Sequence, residues 1–126
     1  VIDKKKNSLQ YSGAHNNLYL IRKGELIEFT ADRMPIGYYD NPEKRFSNHY
    51  ITTVPGDIIY MFSDGYADQF GGPNCKKFKY SVFKDFLLKI HKLPLKLQKQ
   101  KLEKGFNDWR GTYPQTDDVL VMGLKL

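Results

Sequence analysis

Residues 54–72 read VPGDIIYMFSDGYADQFGG. Within them Ile58 to Phe62 (IIYMF) is an unbroken apolar run, with Pro55-Gly56 before it and Ser63-Asp64-Gly65 after it. A short apolar segment between turn-forming residues predicts a strand buried on both faces. The strand ends in an acid. A carboxylate there, followed by a glycine that lets the backbone turn and a ligand approach, suits a hard metal ion or a phosphate; the same tripeptide also serves as an ordinary turn.

A second acidic strand end lies near the other terminus, in Gln115-Thr116-Asp117-Asp118-Val119-Leu120-Val121-Met122-Gly123-Leu124. Two adjacent acids lead directly into a β-prone apolar run. If the two strands are antiparallel neighbours, Asp64 and Asp117 converge on one cation, because hard divalent ions gather oxygen ligands from separate segments. Acids beside strand ends are common on surfaces, so the pair alone is a weak signal.

The chain has 126 residues, enough for one domain with a real core. A hydrophobic fraction of 40%, with nine Tyr, eight Phe and one Trp, argues for a packed globule rather than a disordered tail. The single cysteine, Cys75, excludes an internal disulfide framework, fits a reducing cytoplasm and reads as a loop residue. No apolar run approaches the length of about 20 residues that crosses a bilayer, and no signal peptide is visible. Because the chain begins with Val, it is expected to be a piece of something longer.

The net charge of +6 is unevenly placed. Residues 76–104 hold ten lysines against Asp85 and Glu103, a net +8 that leaves the remainder at −2. Such a cluster fits an acidic partner protein, nucleic acid or an anionic surface. The window has no arginine, the residue favoured for bidentate recognition of phosphates and bases, and its lysines are spaced around apolar positions. It reads first as the solvated face of two helices, then as a surface for an acidic partner.

Along the chain, strands are expected at Ser8 to Tyr11, Leu18 to Arg22 and Glu25 to Thr30, the last two joined by a Lys23-Gly24 turn. Ser12 to His15 is a small-residue turn, with His15 a hydrogen-bonding loop residue. Pro35-Ile36-Gly37 is a turn, and Tyr39 to Arg45 a polar loop. Phe46 to Thr53 alternates as a half-exposed strand that places His49 toward solvent. A short helix follows at Tyr66 to Phe70. Tyr80 to His91 and, more weakly, Leu95 to Phe106 carry amphipathic helical spacing, the second ending at Gly105 or Asn107. Asp108 to Gly111 is expected as a loop with Trp109 packed beneath it. Helices covering one outer face of an antiparallel sheet make an α+β sandwich.

The segments YSGAHNNLYLIRKGE (11–25), MPIGYY (34–39), PGDIIYMFSDGYADQF (55–70) and TDDVLVMGL (116–124), in this order, resemble the C-terminal part of the type 2C metal-dependent serine/threonine phosphatases. They are most similar to the bacterial stage II sporulation protein E-like branch, which dephosphorylates anti-sigma-factor antagonists. The likeness leaves out the lysine-rich stretch after Asn74. It implies a four-layer αββα sandwich with two Mn²⁺ or Mg²⁺ ions between the sheets. It also implies a phosphorylated regulatory protein as substrate and a sensor or signalling domain upstream. Asp64 and Asp117 match the family's ligands to one ion, Gly65 allows close passage of the backbone, and Asp118 matches a supporting neighbour. Gly13-Ala14-His15 departs from the family's Ala-Gly-His order, which leaves its role open.

The family also carries an earlier acidic segment, with an Asp and an Asp-Gly pair bridging both ions, and nothing before Lys6 matches it. Residues 1–126 are therefore expected to be only the C-terminal part of a catalytic domain, with weak metal binding and little turnover alone. Such a piece would expose a sheet face and could form a homodimer. Two other readings remain: a phosphatase-like interaction module without chemistry, which the retained acids argue against, and a lysine-rich surface binder, whose affinity would fall steeply with salt. The family reading involves neither nucleic acid nor a membrane segment.

Overall fold

The computed structural model describes residues 1–37 and 45–126. The expected polar loop at 39–45 therefore lies, apart from Arg45, outside the described residues. The strands are β1 (Ile2–Asp3), β2 (Ser8–Tyr11), β3 (Leu18–Arg22), β4 (Glu25–Phe29), β5 (His49–Thr52) and β6 (Ile58–Phe62). They are followed by α1 (Gly65–Asp68), β7 (Phe70–Gly71), β8 (Lys76–Lys77), α2 (Tyr80–Ile90), α3 (Leu95–Arg110) and β9 (Val121–Lys125).

Two antiparallel sheets stack on each other. The larger has the order β4-β3-β6-β9, the smaller β1-β2-β5, and β7 and β8 form a separate two-stranded ribbon. The hairpin between β3 and β4 turns through Lys23 and Gly24, both with positive φ (50° and 85°). This twist suits a tight connection between right-twisted strands.

Each face of the larger sheet has its own core. On one face Tyr19, Ile21, Ile58, Tyr60 and Phe62 pack against Phe83, Leu87 and Ile90 of α2 and Leu102 and Phe106 of α3. On the other, Leu18, Leu20 and Ile59 meet Leu9 and Ile51 of the smaller sheet. Residues of β3 and β6 are thus buried on both sides, as an unbroken apolar run requires. The layers run helices, sheet, sheet: an α+β arrangement comprising three layers of an αββα sandwich. Arg22 ties the sheets together, donating to both carboxylate oxygens of Asp57 (2.9 and 2.7 Å) and to the Thr52 carbonyl (2.8 Å).

The smaller sheet covers only part of the larger. The β6 to β9 register pairs Ile59 with Leu124 and Met61 with Met122, so all four share the face that holds Ile59. Met61, Met122 and Leu124 are nevertheless 39%, 51% and 39% exposed.

Several expectations are corrected. The second long helix ends at neither Gly105 nor Asn107 and runs through Asp108 and Trp109 to Arg110. Gly105 is there because α2 passes close by: an added Cβ would lie 2.8 Å from the Phe86 ring. The helix ends at Gly111, whose φ of 55° suits glycine. Trp109 packs from within the helix, edge-on to Phe78. His49 does not face solvent. Its ring stacks on Tyr11 and lies edge-on to Phe29, and Nε2 is 2.9 Å from the Thr30 carbonyl oxygen. The strand expected over Phe46 to Thr53 forms only at His49–Thr52.

Candidate functional site

The antiparallel register of β6 and β9 pairs Phe62 with Val121, so the end of one strand lies beside the start of the other. Contact continues past this last pair. The Ser63 amide donates to the Leu120 carbonyl at 3.0 Å. The Ser63 hydroxyl accepts from the Leu120 amide at 2.9 Å and donates to the Asp118 carbonyl at 2.7 Å. Gly65 then presses against the same carbonyl: a Cβ at this position would sit 3.0 Å from the Asp118 carbonyl carbon, closer to its oxygen, and 3.2 Å from Val119 Cγ2. Only a residue without a Cβ allows this approach.

Asp64, Asp117 and Asp118 are all exposed at this junction. Asp64 sits at the N-cap position of α1, and its carboxylate makes no capping bond. Asp117 Oδ1 accepts from the Asp118 amide at 2.7 Å, and its carbonyl accepts from Gln115 Nε2 at 2.8 Å. Among the described residues none of the three acids joins an ion pair. The charge of Asp64 extends toward α2: burial first, then the charges of Asp68 and Asp64, push the Tyr80 hydroxyl above its ordinary pKa.

Oxygen donors of this kind fit a hard divalent cation, and the backbone approach at Gly65 brings their segments together. Two carboxylates are fewer than the six or more oxygens such an ion collects. No group of three or more His, Cys, Asp or Glu side chains is placed to hold a metal among the described residues.

Other sequence candidates fall elsewhere. His15, with φ of 62°, is exposed on the loop that meets Asp32, its amide donating to the Asp32 carbonyl at 2.9 Å. Cys75 is exposed on its loop. An apolar groove of about 630 Å³ runs between α3 and β9, with Leu95, Leu102, Phe106 and Val121 in its walls. It lies on the helical side of β9.

Sequence reasoning did not single out Gln69, which is wholly buried. Its Nε2 donates to the carbonyls of Phe70 and Pro114, both at 2.9 Å, and its own carbonyl accepts from Trp109 Nε1 at 3.1 Å. A glutamine after a short helix carries no local signal of a partner 45 residues away.

The chain matches the family model of stage II sporulation protein E over residues 1–126. Among solved structures it is similar to the SiaA-PP2C domain of Pseudomonas aeruginosa, with 27% identity and a TM-score of 0.90, covering 99% of this chain and 49% of that one. It is also similar in fold to the SpoIIE phosphatase domain of Bacillus subtilis, with 15% identity and a TM-score of 0.66, covering 99% of this chain and 55% of that one. A longer SpoIIE structure, containing the PP2C phosphatase domain and a regulatory fragment, matches with 18% identity and a TM-score of 0.72 over 99% of this chain and 36% of that one. No curated protein matches the chain. The chain thus spans about half the length of the first two matched structures.

Proposed function

Because the chain belongs to the stage II sporulation protein E family, we propose that residues 1–126 are the C-terminal part of a metal-dependent protein phosphatase domain. The substrate is phosphoserine or phosphothreonine on a regulatory protein such as an anti-sigma-factor antagonist. Further acids come from a segment preceding these residues, and a sensor or signalling domain upstream governs the activity, in the cytoplasm. The resemblance of the four sequence segments supports this reading, as does the span of about half of each matched phosphatase domain.

The observation that carries the proposal is the junction at Gly65, where the backbone of the Asp64 turn abuts the carbonyl of Asp118. In this reading Asp64 and Asp117 are ligands to Mn²⁺ or Mg²⁺, and Gly65 and Asp118 support them. Two ions in the intact domain supply an activated water and neutralise phosphoryl charge. The chain's own residues hold the site. Asp117 is kept in place by the bond its Oδ1 accepts, and Asp64 leaves both carboxylate oxygens free of helix capping. No side chain here acts as a nucleophile.

Manganese titration by calorimetry, comparing the chain with Asp64→Asn and Asp117→Asn, tests the site. Weak binding lost in both variants is the expected result; binding unaffected by either removes these acids from it. A phosphatase assay with Mn²⁺ is expected to show little turnover for the chain alone. Turnover comparable with an intact domain would overturn the view that other acids are needed.

A further inference from the structure

We propose that Ser63 and Gln69 are positioning residues that fix the acidic segment Asp117-Asp118 against the turn bearing Asp64. The inference rests on the metal-site reading of these acids and adds residues that the reading does not use. The segment from Gly111 to Leu120 has no helix or strand of its own, so its course is set by what grips it.

The grips lie on either side of Asp117, and both come from the stretch between β6 and β7. On the C-terminal side, the Ser63 hydroxyl bonds twice, to the Asp118 carbonyl and the Leu120 amide. Both atoms lie on backbone, which leaves the Asp118 side chain free. On the N-terminal side, Gln69 Nε2 donates to the Pro114 carbonyl from a wholly buried position. Gln69 is itself held: its second Nε2 bond goes to Phe70, and Trp109 of α3 donates to its carbonyl. Its Oε1 is buried without a partner among the described residues. Leaving a buried amide oxygen unpaired is unfavourable, so the two donor bonds are what keep an amide at this position.

Both clamps work through backbone atoms, so they select the course of the segment rather than its charge. Groups that orient metal ligands in this way typically change metal affinity by about 10- to 100-fold when removed. A purely structural role would lower stability and leave the affinity of the folded chain unchanged.

The test is Mn²⁺ titration by calorimetry alongside thermal unfolding, for the unsubstituted chain, Ser63→Ala, Ser63→Thr, Gln69→Met, Asp64→Asn and a control, Ile51→Val, in the core between the sheets. Expected are weakening of about tenfold or more in Ser63→Ala and Gln69→Met, recovery in Ser63→Thr, which keeps the hydroxyl, and unchanged affinity in Ile51→Val. If Gln69→Met does not fold, the serine pair decides alone. Binding lost in Asp64→Asn but unchanged in Ser63→Ala refutes the clamp while the metal site stands. Absence of Mn²⁺ binding to the unsubstituted chain, or binding indifferent to Asp64→Asn, refutes the metal-site reading and the clamp with it.

Discussion

Replacing Gly65 with alanine sets two effects against each other. Gly65 is the first residue of α1, so alanine gains helix propensity, at most about 1 kcal/mol and less in a helix of four residues. Against that, the new Cβ would lie 3.0 Å from the Asp118 carbonyl carbon and 3.2 Å from Val119 Cγ2. Ordinary contact begins near 3.4 Å, so the carbonyl carbon must retreat by roughly 0.4 Å and its oxygen further. Backbone atoms cannot rotate out of the way, and forced repacking of this kind costs about 1–3 kcal/mol. The clash wins. Gly65→Ala is expected to lower stability by about 1–2 kcal/mol, read as a fall in melting temperature of about 4–8 °C for a chain of this size. Backbone amide shifts should move at Asp118 to Leu120 while those around Ile51 stay in place. An alanine variant as stable as its parent, with unmoved amide shifts on that segment, would refute the close approach of the two strand ends and the site argued from it.

Asp57 makes the protein sensitive to acid. Burial opposes its ionisation, but the Arg22 guanidinium and the Val54 amide outweigh burial and hold its carboxyl below the usual range. Its contribution is therefore complete above the unfolded pKa of about 3.9 and is lost as pH falls through the lower folded value. With Arg22 partly exposed, Asp57→Asn should cost about 2 kcal/mol at neutral pH in urea unfolding. That deficit should shrink as pH falls below the unfolded carboxylate value; one independent of pH contradicts the pairing. Tyr60 donates to Gln98 Oε1 at 2.6 Å in the core, and burial pushes its hydroxyl up to about 12. Tyr60→Phe strands that oxygen and is expected to cost about 1–3 kcal/mol by the same assay, whereas no loss would mean the oxygen finds another donor. Phe83, wholly buried between α2 and the sheet, should cost about 3–5 kcal/mol on truncation to alanine, against less than about 0.5 kcal/mol for Tyr50→Ala on the exposed face of β5. Comparable losses at the two positions would place the core elsewhere.

Local signals account for what the sequence made legible. The bounds of β3 and β6 follow from short apolar runs between turn residues, those of β2 from alternation, and Lys23-Gly24 marks its hairpin. The acids at Asp64 and Asp117-Asp118 were visible because each sits at the end of such a run. Long-range effects were hidden. Gly105 looked like a helix stop, but its lack of a side chain serves the crossing of α2 and α3. His49 fitted an alternating strand, yet its inward turn depends on Tyr11, Phe29 and Thr30 from other elements. The Arg22–Asp57 pair joins residues 35 apart, beyond the reach of any local pattern. Ser63 and Gln69 had no pattern to announce them, because their partners are carbonyls and amides that every residue has.

Ser63 and Asp118 are 55 residues apart in the chain, and the helical hairpin of α2 and α3 fills the interval between them. A cation that requires both strand ends therefore binds the folded chain and has no equivalent site on the unfolded one. Occupancy and folding then become linked quantities: at a hundred times its dissociation constant, such an ion would add about 2.7 kcal/mol to the folding free energy. The linkage acts in both directions, so once the domain is marginally stable, a loosened contact between Phe83 and the sheet would register as weaker apparent metal affinity at a distance.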